Sequence, residues 1–267
     1  MKGLSALIFT RSYGDLPYSL GLRLLSLLSI IIVWLGLSWL LGRTVVPSPV
    51  DTVEFLVREH QRGQLWTHVG ITLWRVLLSF TITMVLGVLI GVMVGISRVM
   101  DRLLEAWVAT GLAVPRILPL VVCYLLIGLN DVAAVVALVI IMVPQVIVQM
   151  REGIRSIDVK LVEMARALRR PRGQIWWQVI LPQLGPYLLG TARGALSLSW
   201  KMVVFAELIG RTSGVGYQIN FYFQMFEMRG ILAYGLIMTL ILATIDLLML
   251  ALGERAFRWR RPVEQVI

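Results

Sequence analysis

The chain has 267 residues, of which 58% are hydrophobic and 15% charged, and its mean hydropathy is +0.83. Because a soluble globular domain carries about 25% charged residues, this composition excludes an ordinary soluble domain and indicates an integral membrane protein. The net charge of +10 would fit a nucleic-acid-binding protein, but the placement of the basic residues along the chain gives a different explanation.

Six segments are apolar enough to cross a membrane, and they predict an all-α integral membrane protein with a single domain over residues 1–267. A span requires about 20 apolar residues, because the hydrocarbon layer is about 30 Å thick and a helix rises about 1.5 Å per residue. The predicted spans are residues 20–42, 70–97, 103–129, 132–152, 184–209 and 230–253. The first is interpreted as a retained helix, since no small-residue cleavage site of a signal peptide follows it.

The distribution of Lys and Arg predicts that both ends of the chain lie in the cytoplasm. With six crossings and the N-terminus inside, the inner segments carry 16 of the 25 basic residues and the outer segments carry five. Cytoplasmic segments of membrane proteins are enriched in Lys and Arg in this way. The bias explains the net charge without a nucleic-acid partner and predicts a multi-pass protein of the plasma (inner) membrane.

The outer segment after the first span predicts a short amphipathic helix followed by a turn at Gly63. Its histidines, His60 and His68, are eight positions apart with no cysteine nearby, so no metal site is expected. In the second span, Gly87, Gly91 and Gly95 recur every four residues. Small residues at this period line one helix face, and they predict a close contact with another helix.

No catalytic motif is found along the 267 residues. A Walker A loop, Gly-x-Ser-x-Gly, His-Glu-x-x-His and Cys-x-x-Cys are all missing from the sequence. Both histidines lie outside the predicted spans, so an intramembrane nucleophile would have no histidine base. We therefore expect no enzymatic activity and no cofactor in this chain.

Several ionisable residues lie within the predicted spans, where each costs several kcal/mol unless it faces a cavity or a partner. One hypothesis is that Arg116, Arg193 and Lys201 line a path that favours anions. The alternative is that they form structural ion pairs with Glu207 or Asp246, or extend their long side chains toward the interface. Because Lys201 and Glu207 are six positions apart and do not share a helix face, we expect any pairing of either residue to be with another helix.

The largest inner loop covers residues 153–182 and is rich in arginine. Its pattern predicts a capped helix over 158–168, a turn over 169–173 and a second short helix over 174–181 that ends at Pro182. Such a helical hairpin could dock in a groove of another protein, or its basic face could rest on anionic lipid.

A crossing over residues 173–192 is rejected, although this stretch is uncharged. Pro182, Gly185 and Pro186 are expected to break a helix there. Trp176 and Trp177 are expected at the level of the lipid headgroups, where indole rings prefer to lie.

The inner loop also resembles a known signature. Glu163-Met164-Ala165, followed by Val179-x-Leu181-Pro182, is similar to the E-A-A…G…I-x-L-P sequence of permease subunits of ABC importers. Further similarity extends over roughly residues 47–255. It includes Pro47-Ser48-Pro49, Leu73-x-Arg75-Val76, Gly153-Ile154-Arg155, Trp200 and Ala206-Glu207. The branch that it resembles contains nitrate, sulfonate, taurine and bicarbonate permeases.

This resemblance implies a type I ABC importer permease fold and a homodimer of six-helix subunits. It also implies two cytoplasmic ATPase subunits that bind ATP and Mg, an extracytoplasmic solute-binding protein and surrounding membrane lipids. The loop would be the element that couples the ATPase to the permease. The implied ATPase-coupling residues are Glu163, Met164, Ala165, Arg166, Arg169, Arg172, Leu181 and Pro182. The implied translocation-path residues are Arg116, Arg193, Trp200, Lys201 and Glu207.

The sequence departs from the signature at two positions. Arg169 stands where the signature has glycine, and an arginine resists a left-handed turn, so we expect the turn to move toward Pro171 and Gly173. Met164 replaces the second, smaller alanine. The function expected is the translocation path of an ATP-driven importer for a small anion or polar solute, of the sulfonate, nitrate, bicarbonate or aromatic acid type. The alternative is a self-sufficient secondary carrier or channel without an ATPase.

Overall fold

The computed structural model describes residues 16–257, with side chains from residue 21 onward except that of Arg23. Every regular element in this range is helical. The helices are α1 (Leu16–Leu41), α2 (Pro49–Gln61), α3 (Gln64–Ile96), α4 (Arg98–Ala113), α5 (Ile117–Ile127), α6 (Asp131–Arg155), α7 (Val159–Ala167), α8 (Arg172–Ile175), α9 (Leu181–Gly210), α10 (Val215–Gln224) and α11 (Met228–Ala256). The terminal residues counted as cytoplasmic, both Met1–Asp15 and Arg258–Ile267, lie outside the described range.

Four of the described helices, α1, α3, α6 and α11, are long and apolar enough to cross a membrane. The pair α4 and α5 would be a fifth span if it is counted as one broken element. Helix α9 has 30 residues but carries three charged side chains. The prediction of an all-helical protein with several apolar spans is therefore confirmed for residues 16–257.

The core lies where α3, α6 and α9 pack together, and α10 and α11 close it at one end. Its fully buried side chains include Val76, Leu138, Met142, Met150, Val203, Val215 and Tyr234. Helix α1 lies apart from this core with most side chains exposed. Among the described residues, the Trp34 indole of α1 donates a hydrogen bond to the carbonyl of Pro47 at 2.9 Å and so links α1 to the segment before α2. The exposed face of α1 is suited to lipid.

The glycine stripe of α3 packs directly on α6, as predicted. A Cβ atom added at Gly87, Gly91 or Gly95 would lie 2.6 Å from the Cβ of Val146, Met150 or Ile154 respectively. This separation is far below van der Waals contact. The two backbones can therefore approach only because these three positions lack side chains.

The third predicted span, residues 103–129, is not one continuous helix. Helices α4 and α5 meet at an angle of 94° across a short break. The cause is Pro115, which has no N–H to donate and forces Val114 into an extended conformation with ψ 129°. Arg116 follows this bend as the N-cap residue of α5.

The prediction that a short helix ends at Pro182 is wrong. Helix α8 continues through a π-turn over Trp176–Ile180 into α9, so the chain is helical from residue 172 to 210. The N–H of Leu181 bonds to the carbonyl of Trp176, five residues back. Pro182 then lies in the first turn of α9, where its missing N–H is tolerated. Residues 173–192 are thus part of the same helical element as the fifth predicted span.

Candidate coupling surface and translocation path

The inner loop forms a compact helical hairpin. Asp158 caps α7 by accepting from the Lys160 N–H at 2.9 Å, as the sequence predicted. The Asp158 N–H donates to the side chain of Gln183 on α9 at 2.9 Å, which ties the start of the hairpin to its end. Ala165 of α7 and Ile175 of α8 are both buried where the two arms meet. The hairpin is therefore a packed unit.

Arg169 occupies the left-handed turn itself, with φ 53°. The turn has not moved toward Pro171, which corrects the sequence prediction. The Arg169 N–H bonds to the Arg166 carbonyl at 2.8 Å and the Arg170 N–H to the Ala165 carbonyl at 3.1 Å. These two bonds form a Schellman ending of α7, which stabilises the conformation that glycine would adopt without strain.

The surface of the hairpin carries most of the implied coupling residues. Glu163, Arg166, Arg169 and Arg172 are exposed, and Met164 is 55% exposed. Exposed apolar side chains lie among them on α7 and at its end: Val159, Leu161 and Leu168. Leu181 is also exposed, Pro182 is half-buried, and Ala165 is turned inward. The hairpin thus presents a mixed apolar and basic surface, with exposed carboxylates at Asp158 and Glu163.

Ion pairs hold the helix ends next to the hairpin. Asp101 at the start of α4 pairs with Arg151 at 3.2 Å and with Arg155 near the end of α6. Gly153 packs against Tyr187 of α9, where an added Cβ would lie 3.0 Å from the Cβ of Tyr187. Movement of the hairpin would therefore act directly on α4, α6 and α9.

Arg193 is held by Asp246 of α11 in a two-pronged ion pair. Its Nε and Nη2 atoms each donate to a carboxylate oxygen at 2.9 Å. This is the structural pairing that the sequence left open as the alternative to a path residue. The pair braces α9 against α11, because both side chains are fixed by each other.

Arg116 and Lys201 are exposed, and neither forms an ion pair within the described residues 16–257. They are therefore the two candidate path cations that remain available to a solute. Trp200, in contrast, is 4% exposed and belongs to the core, which removes it from the surface of the subunit.

Glu207 is also buried, at the centre of a polar network near the end of α9. Its carboxylate accepts from Arg75 Nη1 at 2.7 Å, from the Thr72 hydroxyl and from the Gly216 N–H. Arg75 further donates to Asp131 at 2.8 Å. Glu207 thus pairs with other helices, as predicted, and it joins α3, α6, α9 and α10 at one end of the bundle instead of lining an open path.

Sequence reasoning did not assign partners to Arg75 or Asp131. A signal was present, because Arg75 lies at the edge of an apolar span and within the Leu73-x-Arg75-Val76 match. An arginine there requires a buried acceptor, and the intramembrane carboxylates Glu207 and Asp246 were both available on other helices. The register of α3 against α9, which the sequence does not fix, decided that choice.

An open cleft runs between α6 and α9. Its larger part has a volume of about 390 Å³ and is lined by Gln149, Glu152, Tyr187, Gly190 and Thr191 among others. Further toward the middle of the two helices, Gln145 and Leu198 border a separate gap that is too small for a water molecule. The cleft opens beside the hairpin, since Glu152 and Tyr187 lie next to the α6 and α9 ends from which the hairpin projects.

A family model described as "Binding-protein-dependent transport system inner membrane component" matches residues 83–258, which include the hairpin, the cleft and the ion pair of Arg193. The chain belongs to this family. It is accordingly a transporter permease subunit of the inner membrane, with several membrane-spanning helices.

Curated relatives include sulfonate and taurine permeases. The chain is 29% identical to the putative aliphatic sulfonates transport permease protein SsuC of Bacillus subtilis, over 88% of this chain and 86% of that protein. It is 32% identical to the Escherichia coli protein of the same name, over 70% and 72%. It is 23% identical to the taurine transport system permease protein TauC of E. coli, over 84% of each.

Solved structures with a similar fold are ABC transporters. An inward-facing structure of the MetNI methionine ABC transporter aligns with a TM-score of 0.60 and 22% identity, over 76% of this chain and 99% of that one. An amino acid ABC transporter solved with histidines aligns with a TM-score of 0.60 and 20% identity, over 77% and 98%. These likenesses show the fold of an ABC permease.

Proposed function

We propose that this chain forms the translocation path of an ATP-driven importer for small organic anions of the sulfonate type. The observation that carries the proposal is the exposed hairpin over residues 158–182, whose surface joins an acidic residue, apolar side chains and arginines. A packed helical hairpin with such a surface is suited to a groove on a partner protein. The names of the relatives support sulfonates as the solute class, and the exposed Lys201 is compatible with an anion.

The transporter would contain two copies of this chain, two cytoplasmic ATPase subunits and an extracytoplasmic binding protein. Each copy would cross the membrane six times, with α4 and α5 as one broken span, α9 as the fifth crossing and both ends in the cytoplasm. ATP and Mg would bind to the ATPase subunits alone. When the ATPases close on ATP, the two hairpins would move. Through α4, α6 and α9, this movement would open the path alternately to one side of the membrane and to the other.

Reversing the charge of Glu163 tests the hairpin as the ATPase contact. We expect Glu163→Lys to abolish co-purification of the ATPase in detergent. The substitution replaces an exposed carboxylate by a positive charge, the same sign that the neighbouring arginines carry. Glu254→Lys is the matched control, since Glu254 is also exposed, near the inner end of α11. This control should retain the ATPase.

The purified permease also distinguishes the alternative function, which is a self-sufficient secondary carrier or channel. A secondary carrier or channel would support solute uptake in liposomes that contain the permease alone, with no ATPase added. Uptake of that kind, or undiminished ATPase binding by Glu163→Lys, would contradict the proposal.

A further inference from the structure

The cleft between α6 and α9 carries two glutamines on one helix face. Gln145 and Gln149 are one turn apart on α6, about 21 Å and 27 Å from its first residue, in a helix about 37 Å long. Gln149 lines the open cleft, and Gln145 borders the small gap that lies next to it on the outer side. The two amides therefore lie within the membrane-spanning length of α6 and face α9.

Gly194 of α9 lies opposite Gln149. A Cβ added at Gly194 of α9 would have the Gln149 Nε2 atom, at 3.9 Å, as its nearest neighbour. Lys201 lies seven residues further along α9, which places it on nearly the same face and about 10 Å further from the hairpin. Its side chain is exposed. The lysine therefore lies along the same side of the contact between α6 and α9 as the two amides, beyond the outer end of the cleft.

Neither glutamine side chain is engaged by a hydrogen bond to any other residue between 16 and 257, and the same holds for Lys201. Polar groups at this depth of a membrane protein need water, a partner or a ligand, because lipid offers no hydrogen bonds. Amide N–H groups and an ammonium are all donors, and an anionic head group with several oxygens accepts from such donors.

A carboxylate lies at the inner end of the cleft. Glu152 lines the wide part of the cleft beside the hairpin, and its carboxylate forms an ion pair with Arg151 at 3.1 Å. The order from the outer half inward is therefore a cation, two amides and a carboxylate.

We propose that Lys201, Gln145 and Gln149 form a transient binding site for the oxyanion group of the transported solute. The site assigns the solute class as small organic anions whose head group has several oxygens. This inference rests on the proposed function of the chain as an importer permease. It also assigns a path role to two residues that carry no charge.

Charge-matched thiol reagents test the site in the assembled transporter. Gln145→Cys and Gln149→Cys are introduced separately after Cys123→Ala has removed the buried native cysteine. Each variant is reacted with methanethiosulfonate reagents of similar size, the anionic ethylsulfonate and the cationic ethyltrimethylammonium. Each reaction forms a disulfide to the cysteine and releases methanesulfinate. The ratio of the two rates, divided by the ratio for a free thiol, cancels the ionisation of the cysteine.

We expect both cysteines to react, with a corrected ratio above one. Lys201→Gln should lower this ratio about fourfold or more, as Coulomb's law gives for a unit charge about 10 Å away in water acting on both reagents. Ile140→Cys is the matched control on α6. It is 50% exposed on a different face, where lipid would cover it, and should not react. Leu198→Cys gives a second position across the groove if a glutamine variant fails to assemble.

Three results would overturn the site. These are unreactive cysteines at both glutamine positions and at Leu198, reaction of Ile140→Cys at the same rate, or a ratio that does not change with Lys201→Gln. The first result would indicate a face closed by the second copy. Failure of the proposed function is a separate outcome, because it appears as solute uptake without the ATPase or as undiminished ATPase binding by Glu163→Lys, whatever the labelling rates are.

Discussion

At the level of single residues, Arg169 shows how a non-glycine residue can occupy a turn that favours glycine. Its φ of 53° costs an L-residue about 1–2 kcal/mol relative to a right-handed conformation. The two Schellman bonds, from the N–H groups of Arg169 and Arg170, are made only in this geometry. The sequence prediction weighed the cost of the conformation but not these bonds, and for this reason it moved the turn.

Replacement of Arg169 by glycine should stabilise the hairpin. We expect Arg169→Gly to raise the free energy of unfolding by up to about 1 kcal/mol, because glycine adopts positive φ without a steric penalty. The rise in Tm of the detergent-purified chain measures the effect.

Arg170→Gly is the matched control, since Arg170 is equally exposed but its φ is not positive. It should leave Tm unchanged or lower it. Equal shifts in the two variants would show that loss of an arginine, and not relief of backbone strain, is responsible.

At the level of elements, the close contact of α3 with another helix could be predicted from the sequence, because its cause lies within α3 itself. Three glycines at a period of four mark one face, and the structure places that face on α6. The break before α5 was harder to predict from the sequence. Pro115 was visible, but a proline in a membrane helix can either kink it or end it, and here the extended Val114 ends it.

The continuous helix from α8 to α9 could not be predicted from residue types. Pro182, Gly185 and Pro186 all favour a break, yet the π-turn changes the hydrogen-bond pattern before them and lets the helix continue. The energy that maintains it comes from packing of distant residues, such as Gly153 on Tyr187 and the ring of Phe257 on Gly185. Such contacts depend on tertiary structure.

Gly91→Ala should separate α3 from α6. The new Cβ would lie 2.6 Å from the Met150 Cβ and 3.0 Å from the Ile147 carbonyl oxygen, and backbone cannot move aside as a flexible side chain can. We expect a loss of about 1–3 kcal/mol in the free energy of unfolding, typical of overpacking. Denaturant unfolding in detergent micelles measures this loss.

Gly70→Ala on the same helix is the control. No atom lies within 4 Å of its added Cβ, and alanine is the better helix former. It should therefore be neutral or stabilising. A similar loss in both variants would show that the loss in Gly91→Ala does not come from the contact between α3 and α6.

At the level of the whole molecule, the described contacts fix which helix ends lie together. Arg75 near the start of α3 binds Asp131 at the start of α6 and Glu207 near the end of α9. Arg211 after α9 donates to the carbonyl of Leu129 at 2.6 Å. These ends therefore share one side of the bundle. The hairpin connects the other ends of α6 and α9, so it lies on the opposite side.

This arrangement predicts the outcome of sidedness labelling. Leu129→Cys and Ser156→Cys, each in a Cys123→Ala background, place exposed thiols at opposite ends of α6, about 40 Å apart along the helix. A membrane-impermeant maleimide applied to spheroplasts should label the first variant. It should label the second only after the membrane is permeabilised, because the inner segments are the basic ones.

The two thiols control for each other, because both are exposed in the folded chain and both react in detergent. Labelling of Ser156→Cys in intact spheroplasts would place the hairpin outside the cell, where no ATP-binding subunit could reach it. Because the two labelled positions flank α6, the labelling result does not depend on how the broken span of α4 and α5 crosses the membrane. Whether α4 and α5 cross once or fold back, Leu129 and Ser156 remain at opposite ends of α6, and only their orientation decides whether Glu163 can contact a cytoplasmic motor.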